Sequence, residues 1–416
     1  MTGKGFFEEL QERGFVQQVT DEEGLKQLLA RPPAVGYIGF DPTADSLHVG
    51  SLMPIMALVH MQRHGHRPIV VLGGGTAMVG DPSGKTEMRK MLSREQIVAN
   101  AERIREQIGR YVNLSGDRAI VVDNYEWLGS LNYIEFLRDI GRHFSVNRML
   151  AAEAYRIRME TGLSFLEFNY QVLQAYDFLI LYRRYGCRLQ MGGDDQWGNI
   201  VAGIDLIRRL EAVEAYGLTF PLITTASGQK MGKTAKGAVW LDPDKTSPYE
   251  FYQYWINVDD RDVERFLAYF TLLPMDEVRR LGSLEGERIR EAKEVLAYEV
   301  TKLAHGEEEA KKARDASRAA FGGGAGDVSA IPTSEIRAEE LEEGVPLVDL
   351  FVRSGLAKSK SEARRLIQQG GAYVNGVRQT DIEAVVTPKM VRDGELMLRA
   401  GKKRYHRVVV KDGGRR

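Results

Sequence analysis

Four short apolar runs, each followed by glycine or acidic residues, constrain the fold of this chain more than any other feature. They occupy residues 35–40, 68–72, 119–122 and 187–191, and helical stretches separate them. Short buried strands that alternate with helices form a mostly parallel sheet. We therefore predict an α/β fold whose first domain, residues 1–243, is a doubly wound, mostly parallel (Rossmann-like) sheet.

The loops that follow the first two runs carry hydrogen-bond donors and glycines. Thr43 and His48 precede an apolar helical stretch at residues 52–60, and a strand–loop–helix unit of this kind points backbone N–H groups and a helix dipole at a phosphate. Glycines at 73–75 allow a ligand to approach a strand's carboxyl end, although the spacing of a Walker loop is absent. Taken alone, the loop would more often hold ordinary solvated residues.

A group of polar side chains interrupts an apolar stretch at residues 165–181, which we predict to be one helix. Tyr170, Gln174 and Asp177 share one face of that helix because they are four and three residues apart. Unpaired buried polar groups cost about 1–3 kcal/mol each, so these side chains need partners. A satisfied core network would supply them. A ligand that is polar at both ends would also supply them, and an amino acid with a phenol side chain is one.

The chain after the sheet domain is helical and then glycine-rich. Ser247 and Glu250 form a capping box with proline at the first helical position. Helical sequence continues from there, which predicts an α-helical domain over residues 244–321. Glycines at 322–326 predict a flexible joint, and we assign residues 322–345 to a linker.

Residues 346–416 have the pattern of a small α+β domain. The predicted elements are helices at 348–354 and 360–369, a strand at 372–374 and an Asn-Gly hairpin turn at 375–376. The segment resembles the small RNA-binding fold found in some ribosomal proteins.

The same residues, 346–416, are basic, with 16 lysines and arginines against 7 aspartates and glutamates, while the whole chain has a formal net charge of −1. A basic tail on an acidic body indicates a polyanionic partner. Lys360, Arg364 and Arg365 lie on one side of their predicted helix, where they suit nucleic-acid phosphates. A solvated basic helix would show the same spacing.

Composition excludes several classes of protein. A hydrophobic content of 43% is that of a globular chain, and no apolar run approaches the roughly 18–20 residues of a membrane span. Cys187 is the only cysteine, so we predict neither an intramolecular disulfide nor a cysteine-based metal site. The beginning of the sequence lacks a signal-peptide core. We predict a cytoplasmic protein with no membrane contact.

Two short signatures resemble those of the class I aminoacyl-tRNA synthetases. The first is His-Val-Gly-Ser at residues 48–51, and the second is Lys-Met-Gly-Lys-Thr at residues 230–234. Those enzymes spell them His-Ile-Gly-His and Lys-Met-Ser-Lys-Ser. The resemblance implies ATP as a substrate, Mg²⁺ to offset phosphate charge, and four catalytic residues: Thr43, His48, Lys230 and Lys233.

The residues between the signatures resemble the bacterial tyrosyl-tRNA synthetases, with matching segments at 37–45, 80–84 and 192–199. The resemblance assigns side chains to the three parts of L-tyrosine: Tyr37 and Asp177 to the phenol, Asp81, Tyr170 and Gln174 to the ammonium, and Gln190 and Gln196 to the carboxylate. It assigns another set to ATP, with Asp195 facing the ribose: Gly39, Asp41, His48, Gly50, Gly193, Asp195, Lys230, Lys233 and Thr234.

The same resemblance implies the reaction and the partners. We expect ATP-dependent activation of L-tyrosine to tyrosyl-adenylate and transfer of tyrosine to tRNA(Tyr), with Lys360, Arg364 and Arg365 contacting the tRNA. An insertion at residues 129–159 would form the interface of a homodimer. Its apolar residues fit that role: Leu131, Ile134, Phe136, Leu137 and Phe144.

Two departures from the family pattern stand in the signatures. Ser51 replaces the second histidine of the first signature, and Gly232 replaces serine in the second, where we expect glycine to make the loop more mobile. Two alternatives can be weighed against this reading. One is a tryptophanyl-tRNA synthetase, which shares both signatures, and we reject it because Tyr37 and Asp177 suit a phenol. The other is a catalytically silent, synthetase-like RNA-binding protein, and the intact His48, Lys230 and Lys233 argue against it.

Overall fold

The computed structural model describes residues 4–83, 91–234, 237–322, 331–401 and 404–411, without the side chains at 233–234 and 320–322. The chain divides into two compact units. Unit 1 consists of Met1–Thr246 and Val258–Leu296, and unit 2 consists of Ser247–Asn257 and Ala297–Arg416. Within the described residues, every helix is too short or too polar to cross a membrane.

The strands of unit 1 are β1 Gln18–Val19, β2 Val35–Phe40, β3 Arg67–Leu72, β4 Ile120–Asp123, β5 Leu189–Gly193, β6 Tyr216–Phe220, β7 Lys233–Thr234 and β8 Gly237–Ala238. Six of these described strands form one sheet in the order β1-β6-β5-β2-β3-β4. All neighbours in it are parallel except β1 and β6. The predicted doubly wound, mostly parallel sheet is confirmed. Strands β7 and β8 form a separate antiparallel ribbon.

Helices flank this sheet. Up to residue 246 they are α1 Phe6–Glu12, α2 Glu22–Leu29, α3 Leu52–Arg63, α4 Arg94–Gly109, α5 Tyr125–Leu128, α6 Tyr133–Asp139, α7 Val146–Ala151, α8 Glu153–Thr161, α9 Phe165–Phe168, α10 Tyr170–Tyr185 and α11 Trp197–Glu211. Side chains of β2 alternate between the two faces, as the pleat requires. Gly36 approaches Met61 of α3, whereas Tyr37 packs on Phe178 of α10.

The predicted single helix at 165–181 is instead two helices that meet at Asn169. The cause is an inserted side chain, because Tyr155 of α8 reaches into the junction. Its hydroxyl donates to the carbonyl of Phe168 at 2.9 Å and accepts the N–H of Gln171 at 3.3 Å. A side chain that takes over backbone hydrogen bonds is a recognised cause of a helix break. Helix α10 then runs on to Tyr185, where Gly186 caps it in the left-handed region.

The remaining helices in chain order are α12 Pro248–Ile256, α13 Val263–Phe270, α14 Met275–Gly282, α15 Ile289–His305, α16 Glu307–Gly322, α17 Ala338–Glu343, α18 Leu347–Arg353 and α19 Lys360–Gln368. Helices α13 and α14 belong to unit 1, and α15 begins there and ends in unit 2. The capping box predicted at the start of α12 is present, since Ser247 accepts the N–H of Glu250. In unit 2, α12 packs against α16.

The strands of unit 2 are β9 Thr333–Arg337, β10 Val345–Pro346, β11 Ala372–Val374, β12 Val377–Gln379, β13 Val385–Val386, β14 Glu395–Ala400 and β15 Arg404–Lys411. Five of the described strands pair in the order β12-β11-β14-β15-β9. The predicted hairpin turn is present, with Asn375 and Gly376 both at positive φ. Buried side chains of α18 and α19, such as Phe351 and Ile367, cover one face of this sheet.

The small α+β fold begins earlier than the sequence suggested. Strand β9 pairs in parallel with β15, and Leu341 of α17 belongs to the core of this fold. Residues 333–343 are therefore folded, whereas we had expected a linker up to residue 345. Strand β9 was missed because its partner lies some 70 residues later in the chain. The predicted glycine joint lies mostly outside the described residues.

Candidate active site

A cavity of about 490 Å³ opens at the carboxyl ends of β2, β3 and β5 in unit 1. Strand β2 lies between β3 and β5, so the chain adds β3 on one side of β2 and later adds β5 on the other. Open α/β sheets bind ligands at the carboxyl ends of the strands where the strand order reverses in this way. Most residues that we assigned to tyrosine or ATP line the cavity: Tyr37, Gly39, Asp41, Thr43, His48, Gly50, Asp81, Tyr170, Gln174, Asp177, Gln190, Gly193, Asp195 and Gln196.

Of the assigned residues in the second signature, Lys230 is not among the described residues that line this cavity. Lys230 is exposed on the loop before β7. Burial raises the pKa of Asp195, and the positive charge of Lys230 opposes that rise. The side chains of Lys233 and Thr234 lie outside the described residues. Among the described residues, no group of three or more His, Cys, Asp or Glu side chains is placed to hold a metal ion.

One buried end of the cavity holds Tyr37 and Asp177. Asp177 accepts hydrogen bonds from Asn124 Nδ2 at 2.9 Å and from Trp127 Nε1 at 2.7 Å. The hydroxyl of Tyr37 is buried and has no hydrogen-bond partner among the described residues. A buried hydroxyl without a partner is costly. A ligand hydroxyl that reached this end could supply the missing hydrogen bond.

Burial also shifts the ionisation of this pair. It raises the pKa of Asp177 to about 7, against the opposing effect of the hydrogen bonds from Asn124 and Trp127. It raises the pKa of Tyr37 well above its usual value, and the charge of Asp177 adds to that shift. At neutral pH Tyr37 is therefore a neutral phenol, and Asp177 is close to half ionised.

A hydrogen-bonded chain joins Asp177 to the first loop. Asn124 donates to Thr76 Oγ1 at 3.0 Å, and Thr76 donates to Asp41 at 2.7 Å. The other oxygen of Asp41 accepts from the hydroxyl of Tyr170 at 2.7 Å. Tyr170 and Asp41, which we had assigned to different substrates, are thus direct partners.

The remaining tyrosine-assigned side chains form an amide cluster. Gln196 donates to Asp81 at 2.7 Å and accepts from Gln174 at 3.2 Å. Asn199 donates to both glutamine oxygens at 3.1 Å. Gln190 is buried nearby, and no described residue hydrogen-bonds its side-chain oxygen. The cluster therefore offers one carboxylate and one unsatisfied amide oxygen to a polar ligand.

Sequence reasoning missed four members of this network: Thr76, Asn124, Trp127 and Asn199. Asn124 directly follows β4, at the same edge of the sheet as the other site residues, and that position was a usable signal. Asn199 lies inside the segment 192–199 that carried the resemblance. Nothing in the sequence pattern marked Thr76 or Trp127.

The glycines at 73–75 also pack closely against the protein. A side chain at Gly73 would collide with Asp41, and one at Gly74 would collide with Asp123. The N–H of Gly75 donates to Asn124 at 2.8 Å. Gly73 lines the cavity as well, so a close ligand approach to this loop stays a prediction. Gly39 also lines the cavity, with no described atom within 4 Å of where a Cβ would be.

The first signature is built around His48. Its Nδ1 accepts the N–H of Gly50 at 3.0 Å, so a neutral His48 carries its proton on Nε2. That N–H of Gly50 is consequently directed at the imidazole rather than into the cavity. The ring of His48 also contacts the ring of Trp240 edge to face, with centroids 6.2 Å apart.

The segment just after the second signature, residues 239–241, pairs with residues 47–49 at the first signature through backbone hydrogen bonds. The N–H of Val49 donates to the carbonyl of Val239 at 3.0 Å, and the N–H of Leu241 donates to the carbonyl of Leu47 at 2.9 Å. Gly232 has φ +83°, and a Cβ there would come within 3.0 Å of Val49 and 3.2 Å of His48 Nδ1. We had expected Gly232 to add mobility. The structure gives it a packing role, because glycine alone fits this backbone conformation at this distance.

Comparisons with known proteins agree with this geometry. A family model described as tRNA synthetases class I (W and Y) matches residues 30–322. A second, described as the tyrosine--tRNA ligase SYY-like C-terminal domain, matches residues 326–408. A parallel sheet with the two signatures docked at its carboxyl edge is the arrangement of a class I tRNA synthetase.

Relatives over nearly the whole length narrow the assignment. The tyrosine--tRNA ligase of Caldanaerobacter subterraneus is 58% identical over 97% of this chain and 99% of its own. That of Clostridium tetani is 57% identical over 98% of this chain and 100% of its own. The chain belongs to the tyrosine--tRNA ligase family.

Solved structures show the same fold. A C-terminally truncated mitochondrial tyrosyl-tRNA synthetase from Aspergillus nidulans has a TM-score of 0.69 and 32% identity, covering 77% of this chain and 95% of its own. A tryptophanyl-tRNA synthetase from Encephalitozoon cuniculi shares the fold at a TM-score of 0.54 and 17% identity, covering 74% of this chain and 86% of its own. At that identity the likeness concerns the fold alone, so the tryptophan alternative gains no support.

Proposed function

We propose that this protein activates L-tyrosine with ATP to form tyrosyl-adenylate and then transfers tyrosine to tRNA(Tyr). The observation that carries the proposal is the buried hydroxyl of Tyr37, which lacks a hydrogen-bond partner in the part of the chain that the structure describes and shares one end of the cavity with Asp177. A substrate phenol that donates to Asp177 and hydrogen-bonds Tyr37 would satisfy both side chains. The family membership of the chain supports the same reaction.

The other end of the amino acid fits the amide cluster. Asp81 supplies a carboxylate for the substrate ammonium, and we assign Tyr170 and Gln174 to the same group because both line the cavity. Gln190 and Gln196 are assigned to the substrate carboxylate. Tyrosine in this orientation would place its carboxylate toward the loop that carries Thr43 and His48.

The first chemical step needs positioning and charge stabilisation rather than a catalytic base. A carboxylate oxygen of tyrosine attacks the α-phosphorus of ATP, and the bond from that phosphorus to pyrophosphate breaks. Thr43 and the Nε2–H of His48 are the donors proposed for the phosphate oxygens. The structure fixes this tautomer of His48 through the Gly50 N–H. Asp195 and Gly193 line the cavity where we place the ribose.

The departing pyrophosphate is assigned to Lys230 and Lys233. Lys230 is exposed, so it can reach phosphate oxygens as negative charge develops on them, which raises the rate more than it raises the affinity for substrates. Mg²⁺ is proposed to enter with ATP, since it usually binds through phosphate oxygens and water. We assign Thr234 to ATP on the resemblance alone.

The tRNA is proposed to bind the basic C-terminal domain. Arg364 and Arg365 are exposed on α19, while Lys360 on the same helix pairs with Asp349 at 2.7 Å. Exposed arginines on one helix suit backbone phosphates. Lys360 would have to exchange Asp349 for a phosphate, so we expect it to contribute least of the three.

A homodimer is proposed through α6 and its neighbours. Ile134 is 70% exposed and Leu137 is 40% exposed, as are other large apolar side chains nearby: Tyr133, Val146, Met159, Phe165 and Leu166. A concentration of exposed apolar side chains indicates a protein interface. Phe136 and Phe144 pack inward instead, against the core of unit 1, so we no longer place them in the interface.

The dimer is tested by the mass of the protein in solution. Ile134→Asp should convert dimer to monomer in analytical ultracentrifugation, because a charge would be buried in the interface. Val98→Asp is the control, since Val98 is 49% exposed on α4 and is not one of the side chains proposed for the interface. A monomeric unsubstituted protein, or equal behaviour of the two variants, would remove the proposal.

The reaction is tested by ATP–pyrophosphate exchange with each of the twenty amino acids. Exchange that depends on tyrosine, with tryptophan and phenylalanine at background, is the expected result. Exchange that depends on tryptophan would overturn the substrate. If none of the amino acids supported exchange, the result would favour the alternative of a catalytically silent, synthetase-like RNA-binding protein. The cytoplasmic location stays a prediction from the sequence.

A further inference from the structure

Arg184, an arginine at the surface, lies over the indole ring of Trp127. That indole hydrogen-bonds the Asp177 carboxylate at the phenol end of the cavity. The guanidinium carbon of Arg184 lies 5.1 Å from the ring centroid of Trp127. Trp127 is buried, and its Nε1 donates to Asp177 at 2.7 Å. Arg184 itself lies near the end of α10 and has 42% of its side chain exposed. A single aromatic ring therefore separates this surface cation from the binding cavity.

We propose that Arg184 is a positioning residue for the phenol end of the cavity, acting on Asp177 through Trp127. It need not touch the substrate. The inference rests on the proposed function, because it assumes that the phenol of tyrosine is recognised by Asp177. Arg184 belongs to neither signature and is not one of the residues that line the cavity.

The geometry supplies two physical reasons. A cation over an aromatic face is attracted to it and keeps the ring in one orientation. Its field also draws electron density from the indole, which makes the N–H a stronger donor to a carboxylate. Glu126 lies 3.4 Å from the Arg184 guanidinium and helps to hold it over the ring.

The position of Trp127 depends on such side-chain contacts. Trp127 belongs to α5, a helix of only four residues, and one turn of helix has little stability of its own. A second guanidinium, that of Arg94 from α4, lies 4.1 Å from the ring centroid of Tyr125 in the same helix. Two arginines from different helices therefore hold α5. Of the two, Arg184 contacts the ring whose N–H donates to Asp177.

The charge environment of Asp177 gives the direction of the effect. The charged and titratable groups that face Asp177 or act on it are Asp41, Asp123, Tyr37 and Tyr170. The guanidinium groups of Arg184 and Arg94 lie over rings of α5. Asp41 and Asp123 raise the pKa of Asp177, and the Trp127 hydrogen bond lowers it. Removing Arg184 weakens that hydrogen bond and takes away a positive charge. Both changes favour the protonated carboxyl.

The test compares Arg184→Ala with Arg183→Ala in the full-length protein. Arg183 is the preceding residue of α10, is similarly exposed and pairs with Glu211, so its removal changes the net charge and the helix end in the same way. The readouts are kcat/KM for tyrosine between pH 5.5 and 8.5, the preference for tyrosine over phenylalanine, and KM for ATP, all by pyrophosphate exchange.

For Arg184→Ala we expect the low-pH limb of kcat/KM for tyrosine to move to higher pH. The preference for tyrosine over phenylalanine should fall by about two- to five-fold, the size of an exposed cation–π contact. The KM for ATP should not change. Arg184→Lys should recover most of the loss, because an ammonium can occupy the same place over the ring.

Three outcomes would overturn the inference. They are an Arg184→Ala profile that matches Arg183→Ala, a proportional loss of tyrosine and ATP affinity with a lowered melting temperature, and no recovery by Arg184→Lys. Each is distinct from failure of the proposed function, in which the unsubstituted protein itself would show no tyrosine-dependent exchange.

Discussion

The hydroxyl of Tyr170 donates a 2.7 Å hydrogen bond to Asp41. These residues come from different elements, α10 and the loop after β2, and the family resemblance assigns one to tyrosine and the other to ATP. Thr76 donates to the second oxygen of the same carboxylate. The tyrosine end and the nucleotide end of the cavity therefore share a carboxylate, and a change at one end should be felt at the other.

Tyr170→Phe should raise the KM for both substrates. It removes a donor to Asp41 as well as a contact proposed for the substrate ammonium, and one hydrogen bond to a charged group contributes about 1.5–3 kcal/mol, or roughly ten- to a hundred-fold in affinity. Gln174→Ala is the matched control on the same helix face, since Gln174 hydrogen-bonds Gln196 and Asn199. We expect it to raise the KM for tyrosine alone. Steady-state exchange kinetics measure both values.

Tyr37→Phe should relax the selection of tyrosine over phenylalanine and leave ATP binding nearly unchanged. A site built to hydrogen-bond a hydroxyl rejects an analogue without it by about 10⁴–10⁵-fold, a figure known for enzymes of this family rather than obtained from this structure. Asp177→Ala should relax the selection further, because it removes the acceptor. Unaltered selectivity in both variants would count against the assigned phenol end.

Tyrosine use should depend on pH through Asp177. Burial raises the pKa of this carboxyl to about 7, so lowering the pH through 7 protonates it and replaces a charged acceptor for the substrate hydroxyl with a weaker neutral one. We expect kcat/KM for tyrosine to fall below pH 7, while KM for ATP stays nearly constant. A flat profile for tyrosine between pH 6 and 8 would contradict this.

The same shift has a consequence for stability. A carboxyl whose pKa is raised by folding holds its proton longer in the folded state, so its contribution to the free energy of unfolding falls as pH rises from about 4 to 7. The sign is opposite to that of a salt-bridged aspartate. Denaturant unfolding at pH 5 and pH 8, compared with Asp177→Ala, measures it.

Gly232→Ala should slow adenylate formation and leave the KM for tyrosine unchanged. The new methyl group would press on Val49 and His48 and push the second signature away from the first. Gly228→Ala is a close control, because Gly228 has φ +80° and open space where the Cβ would be. It therefore carries the same backbone strain without the clash. Equal rates of a single turnover for the two variants would show that the contact with His48 is irrelevant.

Arg364→Ala combined with Arg365→Ala should reduce tRNA charging about tenfold and leave pyrophosphate exchange intact. The slope of log affinity against log salt should become shallower by about two, one for each lost phosphate contact. Arg353→Ala is the control, since that arginine pairs with Glu340. Equal charging by the double variant and the control would remove these arginines from the tRNA interface.

Point substitutions test the tail better than a truncation. A cut near residue 324, which the sequence suggests, lies outside the described residues. In unit 2, Ile331, Met397 and Tyr405 pack against Tyr249 of α12. Removing everything beyond the glycines would expose this apolar surface, and a loss of function could then come from instability alone.

The fold was predictable wherever the signal was local. Strand β2, the Ser247 cap and the Asn375-Gly376 turn follow from a few neighbouring residues, and the structure has all three. The split at Asn169 was not predictable, because the hydroxyl that causes it comes from Tyr155 on another helix.

The residues of the candidate site also fall into those that local sequence could predict and those that it could not. Tyr170, Gln174 and Asp177 share a helix face and could be grouped from spacing alone, and the structure places all three at the cavity. Trp127 and Thr76 act through contacts with residues some 35 to 50 positions away. Spacing carries no information about such contacts, so only the folded chain brings these residues together.

The backbone hydrogen bonds between residues 47–49 and residues 239–241 also bear on how the protein folds. The hydrogen bonds of Val49 and Leu241 connect segments that are separated in the sequence by β3, β4, β5 and β6. Contacts between distant segments form late, because the entropy of closing the intervening chain must first be offset. During refolding, helical signal should therefore return before the capacity to make adenylate. A chain still on the ribosome should lack that capacity until residue 241 has emerged.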